Sequence, residues 1–133
     1  MFELRPIGVV QSHLSDPALA PRQGDEGGPE AILVFGEDML EAARDLSPGA
    51  EVFVLTWLHL ARRDVLSVHP RDNPANPLTG VFATRSQDRP NPIGLHRVTI
   101  VAVDGTRVRV RDLEAIDGTP VLDVKPVLRP DGR

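Results

Sequence analysis

A chain of 133 residues, 41% hydrophobic and 26% charged, has the length and balance of one domain with its own core. The absence of cysteine excludes disulfides, zinc–thiolate centres and thiol nucleophiles. The net charge of −4 excludes a whole-surface footprint for nucleic acid and leaves room only for a local basic patch.

In chain order, IGVVQS (7–12) is expected as the first strand, with Ile7, Val9 and Gln11 on one face. The polar stretch 15–30 carries no element signal and is long for a loop in a compact domain. AILVF (31–35) reads as a second short strand. EDMLEAARDL (37–46) has near-helical spacing at Leu40, Ala43 and Leu46, acids in its first turn, and Ser47-Pro48-Gly49 as a stop. EVFVLTWLHL (51–60) is expected as a long strand buried on both faces, and DVLSVHP (64–70) as another strand.

RVTIVAVDGTRVRVRDL (97–113) gives the clearest signal. Two alternating runs flank Asp104-Gly105, expected as a type I′ turn, with Val108 and Val110 facing one way and Arg107, Arg109 and Arg111 the other. PVLDVKPV (120–127) closes the chain, with Leu122, Val124 and Pro126 expected on one face. Many short strands and one helix predict a mostly β fold: a small β-barrel with a short helical insertion. The βαβ alternation of a doubly wound sheet is missing.

No apolar run approaches the roughly 20 residues that span a bilayer. The start MFELRPIGVV does not read as a signal peptide, so a cytoplasmic protein without membrane contact is expected. The four histidines, His13, His59, His69 and His96, include no i, i+4 pair of the helical zinc type, and no metal is expected. GDEGGPE (24–30) has glycines but three acids and no lysine, which speaks against a phosphate loop and a Rossmann-type cofactor site. Ser86, Asp88 and His96 lack a nucleophile elbow. The arginine stripe of 107, 109 and 111 reads either as a solvated strand face or as a row of phosphate contacts. Asp117 and Asp123 read either as turn and ion-pair residues or as proton acceptors.

The stretch GVFATRSQDRPNPIGL (80–95) is different. Pro90 and Pro92 fix two φ angles and bias Arg89 and Asn91 toward extended backbone. A stiff segment presenting one amide and the guanidiniums of Arg85 and Arg89 suits a preorganised site.

IGVVQS, PRQG, GVFATRSQDRPNPIGLHRV and DGTPVLDVKPV occur in this order. Together they resemble the YaeB/TsaA-like family, also called TrmO or UPF0066, over roughly 7–127. The resemblance implies a single TsaA-like domain over 1–133, a barrel that binds S-adenosyl-L-methionine without a Rossmann fold and forms homodimers. The best-known activity of that family is methylation of N6 of threonylcarbamoyladenosine beside the tRNA anticodon, a tRNA-processing step. It implies cofactor contacts at Pro21, Arg22 and Gln23, at Arg63 and Asp64 after the tryptophan strand, and at Arg85, Leu95 and His96. Glu114, Ala115, Ile116 and Asp117 complete the implied cofactor set.

Some positions depart from the family pattern. In several relatives the tryptophan strand leads to a His-Gln pair where this chain has ARRD (61–64), and the last strand often ends in tyrosine where Val127 stands. Longer relatives carry a further C-terminal domain; here tRNA is expected to rest on the barrel and its dimer partner. For methyl transfer, Asn91 is the expected orienting group for the base, and Asp117 or Asp123 the acceptor of its proton or the partner of the methionine amine. Arg85 is expected on the methionine carboxylate and Arg89 on a substrate carboxylate or phosphate. The alternatives are methylation of another small acceptor, or a non-catalytic barrel that binds S-adenosyl-L-methionine or a nucleotide.

Overall fold

The computed structural model describes residues 1–13 and 29–130. Alternating apolar positions build six strands of a closed barrel: β1 (Gly8–Gln11), β2 (Glu30–Phe35), β3 (Glu51–Trp57), β6 (Ile93–Asp104), β7 (Arg107–Arg111) and β8 (Pro120–Pro126). They run antiparallel in the order β1-β2-β7-β6-β3-β8, and β1 closes on β8 through Gly8 opposite Val121. Closure leaves no free strand edge in this sheet. Two short strands, β4 (Ser67–Val68) and β5 (Thr79–Gly80), pair separately.

The barrel interior is aliphatic. Val10, Leu33, Val52, Val54, Val98, Ile100, Val108, Val110 and Val121 all point inward, with Phe35 beside them. Truncating such a residue, Leu33→Ala for example, costs about 2–5 kcal/mol. Gly8 permits close strand approach, since an added Cβ would meet the Val34 carbonyl oxygen at 2.5 Å. Among the described residues, no helix is long and apolar enough to cross a membrane.

Several local expectations are corrected. Val9 and Gln11 share the outer face, Val10 is the core residue, and Ile7 packs on the core from just before the strand. The expected ten-residue helix is a 3-10 turn (Glu37–Met39) followed by one α-turn (Leu40–Ala43), and the chain leaves through Gly49 at φ +90. Gly36 offers no side-chain cap, and only Ala43 of the α-turn is buried. β3 is not buried on both faces, because a barrel wall has one interior; Val52, Val54 and Thr56 alternate inward and the strand stops at Trp57. Only Ser67–Val68 of the expected strand at 64–70 forms.

The hairpin loop is Gly105-Thr106 rather than Asp104-Gly105, since Asp104 pairs with Arg107. Gly105 has φ +59 while Thr106 does not take positive φ, the pattern of a type II′ turn with glycine first. A bulge at Val101 turns both Ile100 and Val103 toward the core. A second irregularity, opposite Leu55 and Thr56, turns Val121 and Val124 inward, so Leu122 and Val124 do not share a face.

Candidate functional site

The site forms where β3 ends and β6 begins. Thr56, the last inward residue of β3, lies opposite Gly94 of β6. A Cβ on Gly94 would collide with Thr56 Oγ1 and would lie 2.7 Å from His96 Nε2. The bare glycine lets the His96 imidazole sit against the Thr56 hydroxyl, at 2.8 Å, with the donor set by the imidazole tautomer. Burial pushes the His96 pKa down to about 4, so the ring is neutral at pH 7.

The chain after β7 crosses this end of the barrel. Leu113 and Ala115 plug into the core, and Glu114 between them faces outward into a hollow. Its Oε1 is buried without a hydrogen-bond partner among the described residues. Burial first, and the nearby Asp112 charge second, hold the Glu114 carboxyl above its ordinary pKa. An unmet buried acceptor of this kind asks for a donor or a cation.

The loop between β5 and β6 folds around Arg89. Its Nε donates to Ser86 O at 2.8 Å, and its Nη2 donates to Val81 O and Thr84 O, both at 2.6 Å. Arg89 therefore braces the loop rather than facing outward. Arg85, carried on that braced loop, is exposed and makes no hydrogen bond or ion pair among the described residues. Arg85 and Glu114 line one hollow of about 470 Å³, with Leu58, Phe82, Leu95 and His96. A second hollow of about 260 Å³, lined by His59, Leu60, Ala115 and Ile116, adjoins it at Leu58, Gln87 and Glu114. Together they have the scale and mixed lining of a small-ligand site.

Six expected residues thus meet in one cleft: Arg85, Leu95, His96, Glu114, Ala115 and Ile116. Asp117 stands at its edge, accepting the Ser12 N–H at 3.0 Å. Arg63 and Asp64 do not line this cleft. Asp64 is held by Arg62 through bonds of 3.1 and 3.0 Å, and Arg63 reaches the opposite side of the loop. There its Nη2 donates to Asn91 Oδ1 at 2.9 Å, so the Asn91 side chain also lies outside the Glu114 cleft. Asp123 is turned to the outer wall, bonded to its own neighbour's N–H and 3.7 Å from Lys125 Nζ. Pro21, Arg22 and Gln23 fall outside the described residues.

His59 and Leu60, rather than Arg63 and Asp64, line the second hollow after the tryptophan strand. The apolar run WLHL hides them, because it continues β3 without a break. The break comes from Pro92: Leu58 donates its N–H to the Pro92 carbonyl at 2.8 Å as a last rung, proline has no N–H to return the bond, and Ala61 N–H closes a turn onto the Leu58 carbonyl at 3.0 Å. No cluster of three or more metal-type ligands occurs among the described residues. The arginine stripe lies on the outer wall, where Arg107 bonds Gln11 at 2.9 Å and Arg109 approaches Glu30 at 3.6 Å.

The model for the tRNA-methyltransferase O N-terminal domain matches residues 9–130. A probable S-adenosyl-L-methionine-binding protein of Methanothermobacter thermautotrophicus is 43% identical over 125 residues, covering 94% of this chain and 89% of that protein. An S-adenosyl-L-methionine-binding protein of Archaeoglobus fulgidus is 39% identical over 122 residues, covering 92% and 86%. A crystal structure of TrmO from Pseudomonas aeruginosa superposes with a TM-score of 0.76 at 30% identity, covering 100% of this chain and 61% of that one. In three TrmO crystal structures that it matches, this chain spans 55% to 62% of their length. The chain belongs to the tRNA-methyltransferase O N-terminal domain family.

Proposed function

We propose that this chain is an S-adenosyl-L-methionine-dependent methyltransferase that holds the cofactor in the Glu114 cleft. Its acceptor in this reading is N6 of threonylcarbamoyladenosine next to the tRNA anticodon, and it works as a cytoplasmic homodimer. The observation that carries the reading is one hollow lined by a carboxylate oxygen and a guanidinium that have no partner among the described residues. The methionine end of the cofactor is a zwitterion, and Glu114 and Arg85 offer the complementary charges. Glu114 would accept from the ammonium, and Arg85 would grip the carboxylate as a fork. Leu58, Leu95 and Ile116 give the apolar surface that an adenosine needs.

When bound, S-adenosyl-L-methionine supplies a methyl group on a sulfonium for in-line transfer to a nitrogen. The chain contributes alignment, through a loop that Arg89 keeps rigid. The acceptor nitrogen must also lose a proton. Both aspartates accept a backbone N–H through one oxygen, but Asp117 adjoins cleft-lining Ile116 whereas Asp123 faces the outer wall beside Lys125. Asp117 is therefore the acceptor we retain.

Calorimetry with S-adenosyl-L-methionine tests the cofactor half. Glu114→Gln should weaken binding by about tenfold or more, as expected for a charge-assisted bond; unchanged affinity overturns the site. Mass spectrometry of tRNA nucleosides from a strain lacking the gene tests the acceptor half. The N6-methylated threonylcarbamoyl nucleoside should disappear and return on complementation. The second reading, a methyltransferase on another small acceptor, is favoured by the net charge of −4 and by outer-wall arginines already occupied by acids and amides. It predicts cofactor binding with no change in that nucleoside. Binding without any turnover would favour a non-catalytic barrel.

A further inference from the structure

Across Ile93 from the Glu114 hollow lies a separate cleft of about 670 Å³, and Ile93 lines both. Arg63 lies over the ring of Trp57, its guanidinium carbon 5.0 Å from the ring centroid. The guanidinium is pinned from the side as well. Nε donates to Pro90 O at 2.7 Å, and Nη2 donates to Asn91 Oδ1 at 2.9 Å. Both acceptors belong to the proline-stiffened segment. No carboxylate pairs with Arg63 among the described residues. An exposed arginine is normally a mobile side chain with high rotamer entropy. Here it is a fixed, un-neutralised plane.

Asn91 is fixed by the same contact. Its oxygen faces Arg63, so its amide N–H groups point to the other side with no hydrogen bond among the described residues. The remaining walls are apolar: Phe2, 83% exposed, with Leu4, Pro120 and Leu122.

We propose that this cleft takes a nucleobase of the RNA substrate, stacked on the Arg63–Trp57 plane and read at an acceptor edge by the Asn91 amide. The assignment rests on the RNA reading above and adds where a nucleotide flanking the acceptor is gripped. A flat aromatic ligand matches the flat cation and the aromatic beneath it, and RNA bases stack on both kinds of surface. A phosphate clamp fits less well, because Arg63 is the only cationic side chain lining the cleft among the described residues. A peptide strand fits less well, because the closed barrel has no free edge to extend.

Trp57 is the sole tryptophan, so its fluorescence reports on this cleft alone. The test titrates the protein with AMP, with a pentamer of oligoadenylate, and with ribose 5-phosphate as a baseless control. AMP and the pentamer should quench Trp57, ribose 5-phosphate should not, and Arg63→Gln should weaken the base-dependent response by about tenfold, within the range of a lost stacking contact. Asn91→Ala, a change at an exposed position, should weaken it as well. Calorimetric binding of S-adenosyl-L-methionine to Arg63→Gln should be unchanged.

Absence of base-dependent quenching overturns the assignment, as does equal quenching by ribose 5-phosphate. Quenching by S-adenosyl-L-methionine at its calorimetric concentration overturns it too, since the cofactor's own adenine would then be the occupant. A Trp57 signal that tracks protein concentration alone would assign the cleft to a second copy of the chain. A wild-type protein that fails to bind S-adenosyl-L-methionine sinks the earlier reading, while one that methylates tRNA with a silent Trp57 sinks only this one.

Discussion

Two groups of arginines on this barrel do different things with the same side chain. On the outer wall, Arg107 and Arg109 are engaged with Gln11 and Glu30, and Arg97 with Glu51 at 3.0 Å. At the strand ends, Arg89 is half-buried and bonded to three carbonyls, Arg63 lies over Trp57 and is pinned, and Arg85 has no partner among the described residues. The outer pairs are exposed and contribute little to stability. The strand-end arginines shape two clefts. The number of guanidiniums does not mark a site; what their donors already hold does.

The contrast can be broken most severely at Arg89. Arg89→Ala leaves the carbonyls of Val81, Thr84 and Ser86 short of a donor and should cost on the order of 3 kcal/mol in urea unfolding. Lysine at that position, lacking the planar fork, should recover less than half. A loss near zero would mean the loop is held by its prolines alone.

His96 comes next. Its folded pKa of about 4 lies below the ordinary 6.5 because burial disfavours the charged ring. The unfolded chain therefore binds more protons between those values, and stability should rise with pH through that window and be lost on acidification. The expected span is about 3 kcal/mol. His96→Gln should flatten the profile, read as urea midpoints across the acid range; an unchanged slope would place the titration elsewhere. Glu114 works in the opposite direction. Its raised pKa makes the folded state the better proton binder, so its ionisation destabilises the free protein as pH rises above the ordinary carboxylate range. Glu114→Gln should stabilise the ligand-free protein at neutral pH, and the gain should vanish in acid.

Arg85→Ala sharpens the contrast by separating binding from folding. It should lower S-adenosyl-L-methionine affinity about tenfold in calorimetry while leaving the urea midpoint in place. The smallest effect is expected at Arg109. Arg109→Ala should change stability by less than about 0.5 kcal/mol and leave cofactor affinity alone. A large loss of tRNA affinity in that variant would instead give the outer stripe a phosphate-contacting role.

The barrel was legible because Val108 and Val110 alternate cleanly with arginines, and because strand after strand lacks the intervening helices of a doubly wound sheet. The stiffness of 90–92 was legible from two prolines. The bulges at Val101 and beside Leu122 were not, because an extra residue reverses the inward parity without any change in composition. The end of β3 was hidden for a related reason. Nothing in WLHL stops a strand; Pro92, opposite Leu58 on β6, does, because it accepts the last rung and has no N–H to return it. The resemblance led to Glu114, but its unmet oxygen depends on which atoms fail to reach it, and no spacing rule encodes that. The Arg63–Asn91 contact joins side chains 28 positions apart, so the wall that Arg63 joins could not be read from local pattern.

The alternation of Leu113, Glu114 and Ala115 has a thermodynamic consequence. Two of these residues are lodged in the barrel interior and the one between them faces the cleft. A ligand held by Glu114 therefore works against withdrawal of the plug, and occupancy and unfolding become linked equilibria. At ligand concentrations 100-fold above the dissociation constant the linkage amounts to about 2.7 kcal/mol. With the cofactor in the proposed site, the melting temperature becomes a meter of free cofactor, and amide exchange in the segment crossing the barrel end should slow first as the cofactor is added.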